Sequence, residues 1–261
     1  MSANHAAFNL IFRFVENYIS PVAGRISSQR HVMAIRDGFI SAMPFMIVGS
    51  FLLVFAYPPF SPDTTWGFAR AWLDLAKEFE GRILTPFDMT MGIMSIYICA
   101  AIAYNLGKHY EKTNQLDPFM CAMLSIMAFL LVAAPKTNGN LPVDSLGGTG
   151  IFTAILVAVY CVEMMRFLKA HNIGIRLPDQ VPPMIKNSFD LLIPVLVVVL
   201  TLYPLSLLIQ HHFDMLIPQA IMAIFKPLVS AADSLPAILL AVLVGHLLWF
   251  AGIHGAAIVS G

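Results

Sequence analysis

The sequence carries very little charge for its length. Only 11% of its 261 residues are Asp, Glu, Lys or Arg, and 58% are hydrophobic, whereas an ordinary soluble domain has roughly 25% charged residues. So little charge cannot coat a soluble globule of this size, and the apolar residues occur in runs too long for one compact core. The composition excludes an ordinary soluble domain and predicts a protein that is embedded in lipid.

Motifs for nucleotide, metal and hydrolytic chemistry are also missing. The sequence contains no GxxxxGK[ST] or GxGxxG phosphate loop, no HExxH zinc motif and no GxSxG nucleophile turn. Basic and acidic side chains balance at 15 each, so no net field attracts nucleic acid. We therefore expect no metal, no cofactor and no nucleic-acid partner.

Cysteine is scarce, with three residues in the whole chain. Cys99, Cys121 and Cys161 each lie inside an apolar run, and none belongs to a CxxC pair. This placement is typical of small core hydrophobes rather than of redox or metal-binding residues.

Long apolar runs make up most of the chain. A helix of about 20 residues, rising 1.5 Å per residue, crosses a hydrocarbon core about 30 Å thick. The five predicted spans cover residues 38–57, 89–106, 118–134, 151–168 and 189–209. Residues 215–228 suit only a short re-entrant or interfacial segment, and residues 236–261 suit a sixth span or a broken helix. We predict an all-α, polytopic transmembrane helix bundle with short amphipathic or re-entrant segments.

The basic residues predict the orientation of this bundle. Ten of the 15 lysines and arginines fall in the N-terminal segment and in or beside the loops after the second and fourth spans, while the long acidic loop 58–88 holds only three. Because lysine and arginine favour the cytoplasmic side, a membrane protein with a cytoplasmic N-terminus is predicted. Residues 5–19 have a helical apolar stripe, which fits either an interfacial helix or a partly exposed helix packed on the bundle.

Three regions follow from this pattern. Residues 1–35 are predicted to form a cytoplasmic or interfacial segment, 36–210 a region of five spans, and 211–261 a short segment followed by the last apolar run. The sequence stops inside the apolar run AGIHGAAIVSG. We expect this chain to be a fragment, a truncated gene product or a part of a longer protein.

Polar residues inside apolar runs are the candidate site residues. His254 stands in GIHG, next to Gly255. Burying an imidazole is costly unless it finds hydrogen-bond partners, and the glycines permit a break in the helix. A polar side chain at a broken helix is how transporters build a solute site, but a histidine bonded to a neighbouring helix satisfies the same pattern.

Other candidates are less specific. Glu163 and Arg166 are three residues apart on one helix, which favours a structural ion pair over a substrate contact. Gly148 belongs to the glycine-rich stretch LGGTGIF, which fits either a site for polar ligands such as sugar hydroxyls or a tight turn. Lys186 and Asn187 follow the proline-rich stretch LPDQVPP and suit contacts with a sugar or with a soluble partner.

Several stretches together identify a resemblance. The chain resembles the membrane subunit, enzyme IIC, of the lactose/cellobiose/diacetylchitobiose family of the bacterial phosphoenolpyruvate-dependent sugar phosphotransferase system. The matching stretches are PVAGRISSQRHVMAIRDGFISAMP (21–44), MGIMSIY (91–97), SLGGTGIFTAI (145–155), IRLPDQVPPMIKNSFDLLIP (175–194) and LLWFAGIHGA (247–256). They sample the whole chain in order, which makes the match far more specific than any one motif.

The resemblance implies a homodimeric permease component of the bacterial inner membrane that takes up a β-linked disaccharide. It also implies that residues 36–210 are the scaffold and dimerisation half and that residues 211–261 are the start of the sugar-binding transport half. Enzyme IIB, a separate partner, then phosphorylates the sugar from its own cysteine, so the three cysteines here are not expected to carry phosphate. It also implies that His254 lies in the sugar site near the phosphorylated hydroxyl, where an imidazole can orient that hydroxyl or accept its proton. Family members continue beyond this stretch to an NEP-type motif whose glutamate completes the sugar site.

Two alternatives remain. A truncated chain could serve as a transport-inactive membrane scaffold or represent a decayed gene product. An ion- or proton-coupled transporter could use His254 and Glu163, but that hypothesis does not explain the stretches shared with enzyme IIC.

Overall fold

The computed structural model is helical through most of the chain that it describes. The described residues are 24–25, 27–135, 139, 141–175, 178, 180, 182, 185, 189–232, 234–239 and 242–243. None of them lies in a β-strand, and the predicted all-α membrane bundle is confirmed. The chain divides into two compact units, one of residues 37–222 and one of Met1–Arg36 with Ala223–Gly261.

Helices of 16 to 27 residues make up most of the described chain. They are α1 (Arg30–Ala56), α2 (Gly67–Asp88), α3 (Met94–Asn114), α4 (Pro118–Ala133), α5 (Ile151–Ala170), α6 (Leu192–Phe213) and α7 (Ile217–Ala232). A 3₁₀ turn, Gly148–Gly150, leads directly into α5.

Three of these helices are long and apolar enough to cross a membrane. They are α1, α5 with its preceding 3₁₀ turn, and α6, and they correspond to the first, fourth and fifth predicted spans. The third predicted span corresponds to α4, an apolar helix of only 16 residues. The predicted short segment 215–228 corresponds to α7, whose apolar part is Ile217–Lys226.

Two boundaries differ from the sequence prediction. The predicted loop 58–88 contains α2, a helix of 22 residues with one apolar side. The second span was predicted to begin at Met89, but residues 89–93 form turns and α3 begins at Met94. Gly92 fits this turn closely, since a Cβ atom there would lie 2.5 Å from the carbonyl oxygen of Asp88.

Helix α3 lies at the centre of the unit formed by residues 37–222. Its fully buried side chains include Ile98, Cys99, Ile102 and Leu106. Small residues bring its neighbours close, as is usual between membrane helices. On α1, a Cβ atom at Gly38 would lie 2.4 Å from Cγ1 of Ile102.

The cysteines belong to this core. Cys99, Cys121 and Cys161 are free thiols with 0% exposure, which confirms their predicted burial. The Cys99 thiol contacts the carbonyl oxygen of Ser125 on α4 at 3.5 Å. Three helices therefore meet through small polarizable side chains.

Contacts along α3 and α5 show that the two helices run in the same direction. Ser95, at the start of α3, bonds to Gly147 just before α5, while Tyr110, near the end of α3, bonds to Glu163 on α5. We call the end at Gly147–Gly150 the turn end. We call the opposite end the basic end, because it carries Lys108, Lys112, Arg166 and Lys169.

Two predicted segments are not covered by this description. The predicted helix at residues 5–19 lies outside the described residues. So does most of the last predicted span, 236–261, of which residues 236–239 and 242–243 are described as helical.

Candidate functional site

The glycine-rich turn is fixed by hydrogen bonds to the first turn of α3. The backbone N–H of Ser95 donates to the carbonyl oxygen of Leu146 at 2.9 Å. The Ser95 hydroxyl donates to the carbonyl oxygen of Gly147 at 2.6 Å. Ser95 is completely buried, so these bonds hold the turn in a water-free position where losing one would leave a costly unpaired group.

Close packing explains the glycine at the end of this turn. A Cβ atom at Gly150 would lie 2.0 Å from the carbonyl oxygen of Ser145 and 3.1 Å from both Cζ of Phe129 and Oγ of Ser95. Such distances leave no room for any side chain. Gly150 is therefore required by the structure, whatever the turn binds.

Gly148, the predicted sugar contact in this turn, has different surroundings. It is exposed, and a Cβ atom there would meet only the flexible end of Met94, at 3.6 Å. Thr149 beside it is also exposed, and its hydroxyl donates to the carbonyl oxygen of Asp144 at 2.9 Å. A polar ligand has access to this backbone at the start of a long helix, where N–H groups favour electron-rich atoms.

Glu163 and Arg166 form the predicted ion pair, and Tyr110 contacts both of them. The Nε of Arg166 donates to Oε2 of Glu163 at 2.6 Å. The hydroxyl of Tyr110 donates to the other carboxylate oxygen, Oε1, at 2.5 Å, and the Arg166 guanidinium stands 5.3 Å from the centre of the Tyr110 ring. The carboxylate thus ties α3 to α5, which is a structural role.

Removing this carboxylate is expected to destabilise the bundle. In Glu163→Ala the nearly buried Tyr110 hydroxyl loses its acceptor and Arg166 loses its counter-ion, at a cost of about 1–3 kcal/mol. Glu163→Gln keeps an acceptor for Tyr110 and should recover part of the loss. Thermal unfolding of the purified protein in detergent measures both effects.

Glu111→Ala is the matched control, because Glu111 is an exposed acid on the same end of α3. Its unfolding midpoint should equal that of the wild type. Equal midpoints for Glu163→Ala and the wild type would contradict a stabilising role for the ion pair.

A polar cleft of about 420 Å³ opens at the basic end. Lys169 donates to the carbonyl oxygen of Gln115 at 2.6 Å and pairs with Asp190 at 3.3 Å. These contacts join the end of α3, the end of α5 and the start of α6. Because the Lys169 ammonium already has two partners, its contacts account for the local geometry without a ligand.

The remaining predicted site residues are not covered by the structural description. His254, Gly255, Lys186 and Asn187 lie outside the described residues. Of the predicted sugar contacts, the structure therefore places Gly148 alone. No group of three His, Cys, Asp or Glu side chains suited to a metal ion occurs among the described residues.

Sequence reasoning missed Ser95 and Tyr110. A sequence signal exists for Tyr110, because Ile98, Ile102 and Leu106 repeat every four residues and Tyr110 continues the series. This repeat places Tyr110 on the buried side of α3, where its hydroxyl needs a partner. The identity of that partner depends on tertiary packing.

Comparison with known proteins places this architecture in a family. The family described as "Phosphotransferase system, EIIC" matches residues 36–261. The chain is 34% identical over 266 residues to the cellobiose-specific EIIC component of Geobacillus stearothermophilus, covering 95% of this chain and 56% of the relative. It is 35% identical over 246 residues to the lactose-specific EIICB component of Streptococcus mutans, covering 92% and 42%.

A solved structure has the same fold. The transporter ChbC, the IIC component from the N,N'-diacetylchitobiose-specific phosphotransferase system, matches with a TM-score of 0.80 and 33% identity, covering 95% of this chain and 59% of ChbC. The chain spans about half the length of the curated relatives it matches. The family match over residues 36–261, together with the helical membrane architecture, shows that the chain belongs to the EIIC family of the phosphotransferase system.

Proposed function

We propose that the full-length protein is a sugar-specific permease component of a phosphotransferase system. It translocates a β-linked disaccharide of the cellobiose, diacetylchitobiose or lactose type, and phosphorylated enzyme IIB phosphorylates that sugar. The observation that carries the proposal is the structural match to ChbC over 95% of this chain. The names of the cellobiose- and lactose-specific relatives support the same substrate class.

The charge distribution supports an orientation in the bacterial inner membrane. The basic end carries four lysines and arginines on the last turns of α3 and α5. Helix α2 carries four acidic and three basic side chains. Basic flanks favour the cytoplasm, so the basic end and the N-terminus face the cytoplasm in our proposal, and the glycine-rich turn faces outward.

The described bundle acts as a scaffold in this proposal, and the protein is a homodimer. Helix α1 supports the dimer proposal, because large apolar side chains such as Ile40, Ile47 and Phe51 are more than half exposed along it. We assign the sugar site to His254 and Gly255. In this proposal Gly148 contacts the sugar at the outward-facing turn end, and Lys186 and Asn187 contact it on the cytoplasmic side. His254 orients the sugar hydroxyl or accepts its proton as enzyme IIB delivers phosphate.

Uptake of radiolabelled disaccharide tests this function. Cells that produce the full-length protein together with enzyme IIB are expected to accumulate the labelled sugar as its phosphate, because translocation and phosphorylation are coupled. Cells without enzyme IIB are expected to accumulate none above background. Thin-layer chromatography of the extracted label identifies the phosphate ester.

The controls separate the competing functions. Equal accumulation of unmodified sugar with and without enzyme IIB would contradict the proposal and favour ion-coupled transport. Absence of uptake in both cultures, with the full-length protein correctly inserted, would favour an inactive scaffold. Cellobiose, diacetylchitobiose and lactose are tested in parallel to identify the sugar.

A further inference from the structure

An apolar cleft lies between the end of α1 and helix α2. Its volume is about 620 Å³, within the range of about 300–1,000 Å³ typical of small-molecule sites. Its walls are aromatic and aliphatic side chains, and one cation lines it. The residues used in the argument are Phe55, Phe68, Trp72, Leu75, Phe79 and Arg82.

Two hydrogen bonds hold the cleft open by fixing α2 beside α1. The indole Nε1 of Trp72 donates to the carbonyl oxygen of Phe55 at 3.2 Å. The hydroxyl of Tyr57 donates to Oε1 of Glu80 at 2.9 Å.

The cleft lies where the first candidate span ends. Phe55 belongs to the last turn of α1, and α2 begins after a short connection. Tyr57, Trp66 and Trp72 are concentrated at this level, as is typical of the boundary between hydrocarbon and headgroups. Because α1 is long and apolar enough to cross a membrane and ends here, we place the cavity beside the acyl-chain region of the bilayer.

Arg82 places a positive charge at the edge of the cleft. It is exposed, it is the one charged residue in the lining, and its guanidinium stands 5.5 Å from the centre of the Phe79 ring. Within the described part of the chain it forms no ion pair with a carboxylate. A guanidinium binds phosphate through paired N–H donors, so the rim offers a phosphate site beside an apolar cavity.

We propose that this cleft binds a membrane glycerophospholipid, with one acyl chain between α1 and α2 and the lipid phosphate on Arg82. The apolar walls exclude a sugar or a free phosphate as the occupant, because neither has a hydrocarbon part to fill the cavity. A second copy of the chain is the competing occupant, and a Leu75→Cys cross-link distinguishes it from lipid. The site does not depend on the proposed sugar transport.

Lipid titration of the full-length protein tests the site. Palmitoyl-oleoyl phosphatidylglycerol is added to delipidated protein in detergent, and bound lipid is counted by native mass spectrometry. The wild type is expected to retain one tightly bound lipid. Arg82→Gln is expected to weaken its binding about fivefold, as for loss of one cation near a lipid surface.

Two further variants separate the cavity from general surface charge. Ala71→Trp places a large ring in the cleft from an exposed position and is expected to remove the tightly bound lipid. Arg70→Gln removes an exposed cation of α2 that does not line the cleft and should bind lipid like the wild type. Glycerol phosphate, which lacks the acyl chains, should not displace the lipid.

The proposal is overturned if the wild type, Arg82→Gln and Ala71→Trp retain lipid equally. It is also overturned if Leu75→Cys forms a disulfide between two copies in membranes, because a second copy would then occupy the cleft. Displacement of lipid by glycerol phosphate would show a free phosphate site instead. Sugar uptake is measured on the same variants, so that loss of lipid is distinguished from loss of transport.

Discussion

Replacing Gly150 with alanine is expected to prevent the bundle from folding. The added Cβ atom would lie 2.0 Å from the carbonyl oxygen of Ser145, and that oxygen belongs to backbone in the same tight turn. Relief by moving the turn would disturb the bonds of Ser95 to Leu146 and Gly147, which join the turn to α3. Overpacking combined with lost buried hydrogen bonds should cost about 3 kcal/mol or more.

Gly148→Ala is the matched control for Gly150→Ala. It adds the same methyl group two residues earlier in the same turn, where the nearest heavy atom is the flexible Cε of Met94 at 3.6 Å. Gly148→Ala should yield wild-type amounts of monodisperse protein in size-exclusion chromatography, while Gly150→Ala should give aggregate or no protein. Equal yields of the two variants would contradict the packing argument.

This pair of glycines shows what the sequence could and could not predict about the turn. The stretch LGGTG indicates a tight turn before an apolar helix, and the structure contains a turn at that place. The spacing does not distinguish the glycine packed against Ser145 and Phe129 from the exposed one. That distinction depends on the exact conformation of the turn and on its packing against Phe129 of α4 and Ser95 of α3.

Helix prediction succeeded where apolar runs are continuous. Helices α1, α5 and α6 match predicted spans because each forms a long hydrophobic segment. Helix α2 was missed because its acidic residues interrupt the hydropathy signal, although Phe68, Trp72, Leu75 and Phe79 recur at helical spacing. The signal that indicates α2 is the helical periodicity of its apolar residues, not its mean hydropathy.

The ion pair shows the same difference between contacts that the sequence predicts and contacts that only tertiary packing determines. The spacing of Glu163 and Arg166 predicts a contact within one helix, and the structure places the two charged groups at 2.6 Å. Tyr110 lies 53 residues away from Glu163 in sequence. Its contribution follows from the packing of α3 against α5 and has no local signature.

His254→Ala in the full-length protein is expected to reduce sugar affinity about 5- to 150-fold. In the proposed site, the imidazole hydrogen-bonds a sugar hydroxyl, and its removal leaves a buried polar group of the substrate unpaired. Such a loss costs about 1–3 kcal/mol, which corresponds to that range of affinity. Isothermal titration with cellobiose or diacetylchitobiose measures the change, and chromatography checks that the variant remains folded.

His254→Gln separates the two roles proposed for the imidazole. Glutamine retains a hydrogen-bond donor and acceptor but is a poor proton acceptor, so sugar affinity should fall less than in His254→Ala while phosphate transfer from enzyme IIB remains low. His109→Ala is the matched control, because His109 is an exposed histidine at the basic end, and it should bind sugar like the wild type. Wild-type affinity in His254→Ala would remove His254 from the site, whereas normal phosphate transfer in His254→Gln would leave it only an orienting role.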